Sequence, residues 1–308
     1  MDNCKKLAYI GGTGRSGSTL LDLLLGNHSL ITSVGEVHRL NCYARENIEP
    51  CTCGLPVAEC PYWRRIEGRM RGILGWTAER RPLLETEMMV RVDAISRTAS
   101  WLQKAALVGA PPFLARKVSR AVASIHHEAM NISLQWYDAI CAESGSEVLI
   151  DSTKDTRRMK LLFLTAPEKF RLIYLVRDGR AVTASEIRRN GVSMEQAASR
   201  WASRHQQNRF ACSWIPSSSI FHVRYEELCS DTENILRKLA QFLGVPHEPA
   251  MLKLDKVASH NIGGNPMRFR KEEATIKLDE QWREQLTASE LQVFQQIAGR
   301  QNKHFGYT

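Results

Sequence analysis

The chain has 308 residues, of which 43% are hydrophobic and 24% charged; its mean hydropathy is −0.31. That length buries a large core without disulfides or a structural metal, and the balance excludes a disordered chain, a fibre and a small cysteine-stapled scaffold. No apolar run approaches the ~18 residues of a spanning helix, so no membrane association is expected, and the net charge of +9 favours anionic ligands.

The N-terminus, Met1-Asp2-Asn3-Cys4-Lys5-Lys6 followed by a short apolar run, lacks the pattern of a secretory signal. A cytoplasmic location is expected, with the eight cysteines mostly reduced. The first strand is predicted at 6–11 (KLAYIG) and leads into IGGTGRSGSTLL at 10–21. There Gly11, Gly12, Gly14 and Gly17 let the backbone curl and expose its N–H groups. An apolar helix beginning near Ser16–Ser18 aims its positive end at the same spot. Arg15 adds a charge, and Ser18 and Thr19 add hydroxyls, so the segment reads as a cradle for phosphate-like groups. Gly12 and Gly17 have the spacing of a Walker loop, but Ser18 stands where that motif requires Lys.

Residues from about 35 to 145 read as helical pieces broken by Gly72, Gly75, Pro82 and Pro111-Pro112. Between 61 and 120, twelve Arg and Lys face five acidic residues. Most of that excess is expected to be a solvated helical face; no nucleic-acid-binding motif is present. Within this segment Cys42, Cys51, Cys53 and Cys60 follow the spacing C-x8-C-x-C-x6-C. Four such thiols suit tetrahedral zinc, yet the spacing is not a standard paired one, and a disulfide-stapled loop or buried free thiols fit equally. A structural role is assigned to them, not a catalytic one.

Further strands are predicted at 147–150, 170–176 and 219–224, and strands alternating with helices imply a parallel sheet. The expected fold is α/β, a P-loop-like parallel sheet flanked by helices. It forms a single domain over 1–308, with a helical, basic, cysteine-containing insertion at about 40–140 over the active site. Arg177 follows the 170–176 strand at its carboxyl end, where open α/β sheets place ligands. Ser185 lies on the second turn of the helix that follows, so the two are candidates to grip one phosphate. Ser230-Asp231-Thr232-Glu233 reads as a capping box ahead of a packing helix that Gly244 and Pro246 stop. Trp201 and Trp282 are read as core residues.

Arg15-Ser16-Gly17-Ser18-Thr19 and the Arg177-through-Ser185 segment together resemble the sulfotransferases that use 3′-phosphoadenosine 5′-phosphosulfate (PAPS). Members hold the 5′-phosphosulfate with a [KR]-S-G-[ST]-T loop and the 3′-phosphate with R-(x)7-S. The resemblance continues through Tyr225 in VRYEEL, IGGNPMRFR at 262–270 and the FGY ending at 305–307, with the weakest match at about 40–140. It is closest to bacterial small-molecule and tyrosylprotein sulfotransferases, in which Arg replaces the loop Lys and a Gly-Glu follows the first helix, here Gly35-Glu36. The strand-end Lys of those enzymes is similar to Lys154 in IDSTKD.

The resemblance implies that Gly14, Arg15, Ser16, Gly17, Ser18, Thr19, Arg177, Ser185, Tyr225, Arg268, Arg270 and Lys271 bind the nucleotide, and that Arg15, Glu36 and Lys154 are catalytic. Glu36 is the candidate base, with His38, His126 and His127 as rivals; Glu36 and His38 are candidate acceptor contacts. PAPS would be the co-substrate and PAP, its desulfated form, the product, with a small-molecule acceptor, no nucleic acid, no membrane partner and no catalytic metal. Oligomeric state is open. A P-loop kinase or NTPase and a non-catalytic nucleotide-binding protein are the alternatives.

Overall fold

The computed structural model describes residues 3–89, 124–254, 260–269 and 275–308. Five strands form one parallel sheet: β1 (Lys6–Gly12), β2 (Ile31–Ser33), β3 (Val148–Asp151), β4 (Phe170–Val176) and β5 (Ile220–Arg224), in the order β2-β3-β1-β4-β5. The chain therefore builds to one side of β1 and then to the other. Every β1–β4 pairing from Leu7↔Phe170 to Gly12↔Leu175 is parallel. Four of the strands lie where the sequence puts them. The fifth, β2, spans three residues at the sheet edge, too few to carry a periodicity.

Alternation along the strands separates two cores. Leu7, Tyr9, Leu149, Leu172 and Tyr174 face one way. That face is covered by α3 (Pro61–Leu74), α5 (His127–Ser144) and α6 (Thr156–Thr165), with Trp63, Trp136 and Ile140 fully buried among them. Ala8, Ile10, Ile150, Ile173 and Leu175 face α1 (Ser18–Gly26), α9 (Tyr225–Ser230) and α10 (Thr232–Leu243). Beyond β4, α7 (Gly179–Asn190), α8 (Met194–Cys212) and α12 (Ala288–His304), which follows the short α11 (Trp282–Gln285), pack through Val182, Met194, Trp201 and Phe294.

The segment between β2 and β3 divides its work. Its first helix, α2 (Leu40–Glu46), and the turn after it reach the cleft described below, while α3, the short α4 (Pro82–Glu85) and α5 cover the sheet. Four of its described arginines are in ion pairs: Arg65 and Arg69 with Glu143, Arg80 with Glu85, and Arg81 with Glu67.

One sequence expectation fails locally. Ser230 does not cap α10, because it is still the last residue of α9; Asp231 makes the turn and Thr232 donates to the Leu228 carbonyl at 2.7 Å. The packing face of α10 and its stop at Gly244 (φ 71°) are as expected. The reciprocal box forms instead at α12, where Thr287 and Glu290 satisfy each other's backbone N–H.

Candidate active site

At the carboxyl end of β1 the backbone turns at Gly12 (φ 128°), where a Cβ would lie 2.2 Å from the Leu175 carbonyl oxygen. Residues 13–17 then wrap over the N-terminus of α1. Gly17 caps that helix at φ 88°, and a Cβ there would strike the Tyr225 ring at 2.4 Å. Asn208 of α8 donates to the Gly12 carbonyl at 3.0 Å, and Thr13 and Ser16 share a 2.7 Å hydroxyl bond beneath the loop. Among the described residues, no protein acceptor meets the N–H groups of Gly14 through Thr19. They form a concave array of donors at a helix N-terminus, an anion-binding geometry.

Arg15 stands in this loop with φ 65°, and Lys154, after β3, has φ 63°. For non-glycine residues that conformation costs on the order of 1–3 kcal/mol, and such strain clusters at functional sites. Arg15 is half-buried and, among the described residues, has no carboxylate within ion-pair distance. Burial, with Arg189 and Arg188 nearby, pushes its guanidinium below its ordinary pKa. Lys154 donates to Glu36 at 3.2 Å and to the Ser152 carbonyl. Glu36 is set by Gly35 (φ 79°), where a Cβ would meet the Ile262 carbonyl oxygen at 2.2 Å, and by its own N–H bond to that oxygen at 2.9 Å.

From the other side, Arg177 follows β4. It donates to the Arg15 carbonyl at 3.2 Å, lies 4.4 Å above the Tyr225 ring, and pairs with Asp279 at 3.0 Å. Burial raises the Tyr225 hydroxyl to about 12. Asp178 caps α7 through the Arg180 N–H; Glu226 accepts from the Asp178 N–H at 3.1 Å and from Tyr307 at 2.6 Å. The RDG, YEE and FGY segments thus form one support behind Arg177.

These elements open onto a cleft of about 1490 Å³. Gly14, Arg15, Gly17, Ser18, Thr19, Glu36, Lys154, Arg177, Ser185 and Tyr225 all line it. So do Arg188 and Arg189 at the end of α7 and Arg200 and Arg204 on α8, which the sequence reading did not single out. Their signal was present: Arg188 and Arg189 lie three and four residues beyond Ser185, and Arg200 and Arg204 are one helical turn apart. Nine Arg and Lys line the cleft against four carboxylates, a field suited to a polyanion.

Other candidates lie elsewhere. Ser16 is buried beneath the loop. His38 bonds Thr153 at 3.0 Å rather than lining the cleft; burial, with Arg158 nearby, lowers it to about 4. His126 and His127 begin α5 and do not line the cleft either. Arg268 is buried and bonded to Glu49 at 2.5 Å, so it meets the cleft only through that carboxylate. Arg270 and Lys271 lie outside the described residues. Trp282 is buried, as is Trp201, though the latter touches the cleft wall. Of the four cysteines, Cys42 stands apart, with its sulfur 4.0 Å from that of Met89. Cys51, Cys53 and Cys60 gather instead around His260.

Among the described residues no helix is long and apolar enough to cross a membrane. No curated protein sequence matches the chain significantly. Across its whole length the fold is similar to two solved structures. The sulfotransferase domain from the Synechococcus PCC 7002 olefin synthase has 20% identity and a TM-score of 0.58, over 100% of this chain and 97% of that one. The sulfotransferase domain from the curacin biosynthetic pathway has 18% identity and a TM-score of 0.50, over 99% and 98%. The model of the sulfotransferase family matches residues 70–249, more than half of the sequence, and the chain therefore belongs to the sulfotransferase family.

Proposed function

We propose that this enzyme moves a sulfuryl group from PAPS to a hydroxyl, or an amine, of a small-molecule acceptor by in-line transfer. The observation that carries the reading is the convergence on one cleft of the N–H array of residues 14–19, which meets no acceptor among the described residues, Arg15, and the Lys154–Glu36 pair. The donor's 5′-phosphosulfate would sit against that array with Ser18 and Thr19. Arg177, Ser185 and the arginines of α7 would meet the 3′-phosphate. A cleft of about 1490 Å³ exceeds the ~300–1,000 Å³ of a typical one-ligand pocket and leaves room for donor and acceptor together.

Sulfuryl transfer resembles phosphoryl transfer: charge accumulates on equatorial and leaving oxygens, so the protein mainly positions and neutralises. In the proposed step the acceptor oxygen attacks sulfur, the bond to the 5′-phosphate oxygen breaks, and PAP leaves. Arg15 would hold the sulfonate and bridging oxygens. Lys154 would turn from Glu36 toward the leaving oxygen, and the freed Glu36 carboxylate would take the acceptor's proton. Chain cations and N–H groups supply the electrostatic stabilisation in this scheme, so it includes no catalytic metal. The anion-rich donor, not a nucleic acid, accounts for the basic cleft. None of the eight cysteines is in a disulfide, which suits a cytoplasmic setting. Taking residues 1–308 as one domain is part of the same reading.

Thermal shift with PAP, ADP and ATP–Mg2+ tests it. At about 100 times its dissociation constant PAP stabilises by about 2.7 kcal/mol, and Tm should rise by several degrees. Labelled sulfuryl transfer from PAPS to a panel of hydroxyl and amine acceptors then identifies the acceptor class. A shift with ATP–Mg2+ alone would replace the sulfotransfer reading with that of a nucleoside-triphosphate enzyme.

A further inference from the structure

Outside the cleft, the loop that carries Cys51, Cys53 and Cys60 folds against His260, some two hundred residues away in the chain. The three Sγ atoms and one imidazole nitrogen all lie within 4.8 Å of one another. Cys60 Sγ is 3.7 Å from Cys51 Sγ and 3.6 Å from Cys53 Sγ. His260 Nδ1 is 3.3 Å from Cys60 Sγ and 3.6 Å from Cys51 Sγ. Tetrahedral zinc, with Zn–S of about 2.3 Å and Zn–N of about 2.0–2.1 Å, requires sulfur–sulfur edges of about 3.8 Å and sulfur–nitrogen edges of about 3.6 Å. The four edges among these atoms given above agree to within a few tenths of an ångström, and the other two, Cys51–Cys53 and Cys53–His260, are within 4.8 Å. A disulfide would need sulfurs about 2.05 Å apart, and none of these thiols is so bonded.

We propose that Cys51, Cys53, Cys60 and His260 bind one zinc ion in a closed, structural Cys3His site. Three soft thiolates and an imidazole in a compact S3N set select zinc over hard cations, and four protein ligands leave no open position for substrate. Zinc displaces three thiol protons to solvent, and the occupied site carries a net charge of −1. Its surroundings fit a fixed metal. The Tyr62 ring stacks flat on His260, centroids 4.5 Å apart and planes 6° apart, which holds the imidazole plane. Cys60 is the N-cap of α3, where the positive helix end favours a thiolate. Gly54, at φ 93°, turns the loop back immediately after Cys53.

The site also has an evident purpose. Thr52 and Asn261 exchange two hydrogen bonds, of 3.3 and 3.0 Å. Ile262 then pairs with Val34 and Glu36, and the Asn265 N–H reaches Thr19 at 3.3 Å. A metal at residue 260 therefore anchors the segment that crosses beside Glu36 and the anion loop. It staples the inserted loop to one wall of the cleft without touching the reacting groups.

The test is the metal content of the full chain, purified without chelators from zinc-replete cells. One zinc per chain is expected. Cys53→Ser, at the exposed ligand and so the mildest change, and His260→Ala should both lose most of it, whereas Cys42→Ser should keep a full equivalent. Cobalt substitution should give intense visible bands with sulfur charge transfer, weakened in Cys53→Ser. Native protein without stoichiometric zinc would overturn the proposal whatever the variants do. So would a Cys51–Cys60 or Cys53–Cys60 disulfide in its mass spectrum, or loss of zinc in Cys42→Ser equal to that in Cys53→Ser.

Discussion

Two arginines at the carboxyl edge of the same sheet are treated in opposite ways. Arg158 is fully buried, and every nitrogen of its guanidinium is engaged: Nε with Asp151 at 3.2 Å, Nη1 with the Met88 carbonyl at 2.6 Å and Ser133 at 3.1 Å, and Nη2 with the Tyr137 hydroxyl. Burial alone would raise Asp151, yet Arg158 and the bonds from Thr153 and Tyr137 outweigh it and hold that carboxyl below its ordinary range. Arg15 is half-buried, held at a positive φ, and placed among like charges. A cation whose bonds are all made holds the fold together. One kept strained and, among the described residues, without an ion pair retains its binding capacity for a ligand.

That contrast breaks most visibly at Arg158. Arg158→Met leaves Asp151 buried without its counter-charge and should cost about 3–5 kcal/mol, the usual penalty for removing one member of a buried pair. Urea unfolding measures it, and adding Asp151→Asn should recover part of the loss. If Arg158→Met is as stable as the parent, the buried cluster is not what holds β3 to α5 and α6.

Arg15→Gly should do the reverse. The proposed transfer from PAPS should fall about 10²–10³-fold, the range for losing one donor to transition-state charge. Stability should not fall, because glycine relieves a left-handed conformation worth roughly 1–2 kcal/mol as well as repulsion from Arg188 and Arg189. Steady-state rates and Tm on one preparation decide it. A variant that loses stability in step with activity would make Arg15 a structural residue.

The same contrast explains what the sequence could disclose. The anion loop and the strand-end arginine were legible because their chemistry is contiguous: glycines, a cation, hydroxyls and a helix start all fall within residues 11–19. The zinc-type cluster was legible only in part. Three of its ligands are neighbours, but His260 arrives from across the fold, and Cys42 entered the candidate set by proximity in sequence alone. Arg200 and Arg204 look like any solvated helix face until α8 is laid against the cleft. Ser230 failed as a cap because its i+3 spacing to Glu233 is real but says nothing of where the preceding helix ends.

Neighbours on α8 sharpen the point. Arg204 lines the cleft, while His205 is fully buried behind it, 2.7 Å from the Tyr174 hydroxyl and 4.7 Å from the Trp201 ring. Burial, with Arg204 beside it, lowers His205 to about 3. Folded, it stays neutral; unfolded, it takes a proton near pH 6.5. The unfolded state thus binds more protons between those values. The stabilisation is complete above pH 6.5 and is lost as pH falls toward 3, by up to about 1.4 kcal/mol per pH unit. His205→Gln should flatten the dependence of unfolding free energy on pH between 6 and 4 by about that slope. Equal slopes in parent and variant would mean His205 is protonated in the folded chain.

Arg177 stands between the two classes, and the smallest expected effect tests it most closely. It lines the cleft like Arg15 but already has a partner in Asp279, whose side chain is 37% exposed. Such a partly solvated pair is worth only about 0–1 kcal/mol, little enough for a phosphate dianion to displace it. If Arg177 serves the 3′-phosphate, Asp279 is a competitor, a carboxylate that must yield when the ligand arrives. Asp279→Asn should then tighten PAP several-fold in calorimetric titration and steepen the loss of affinity with added salt, while Tm without ligand falls slightly. If Arg177 is instead a smaller version of Arg158, the variant will lose the same small stability and leave PAP affinity unchanged.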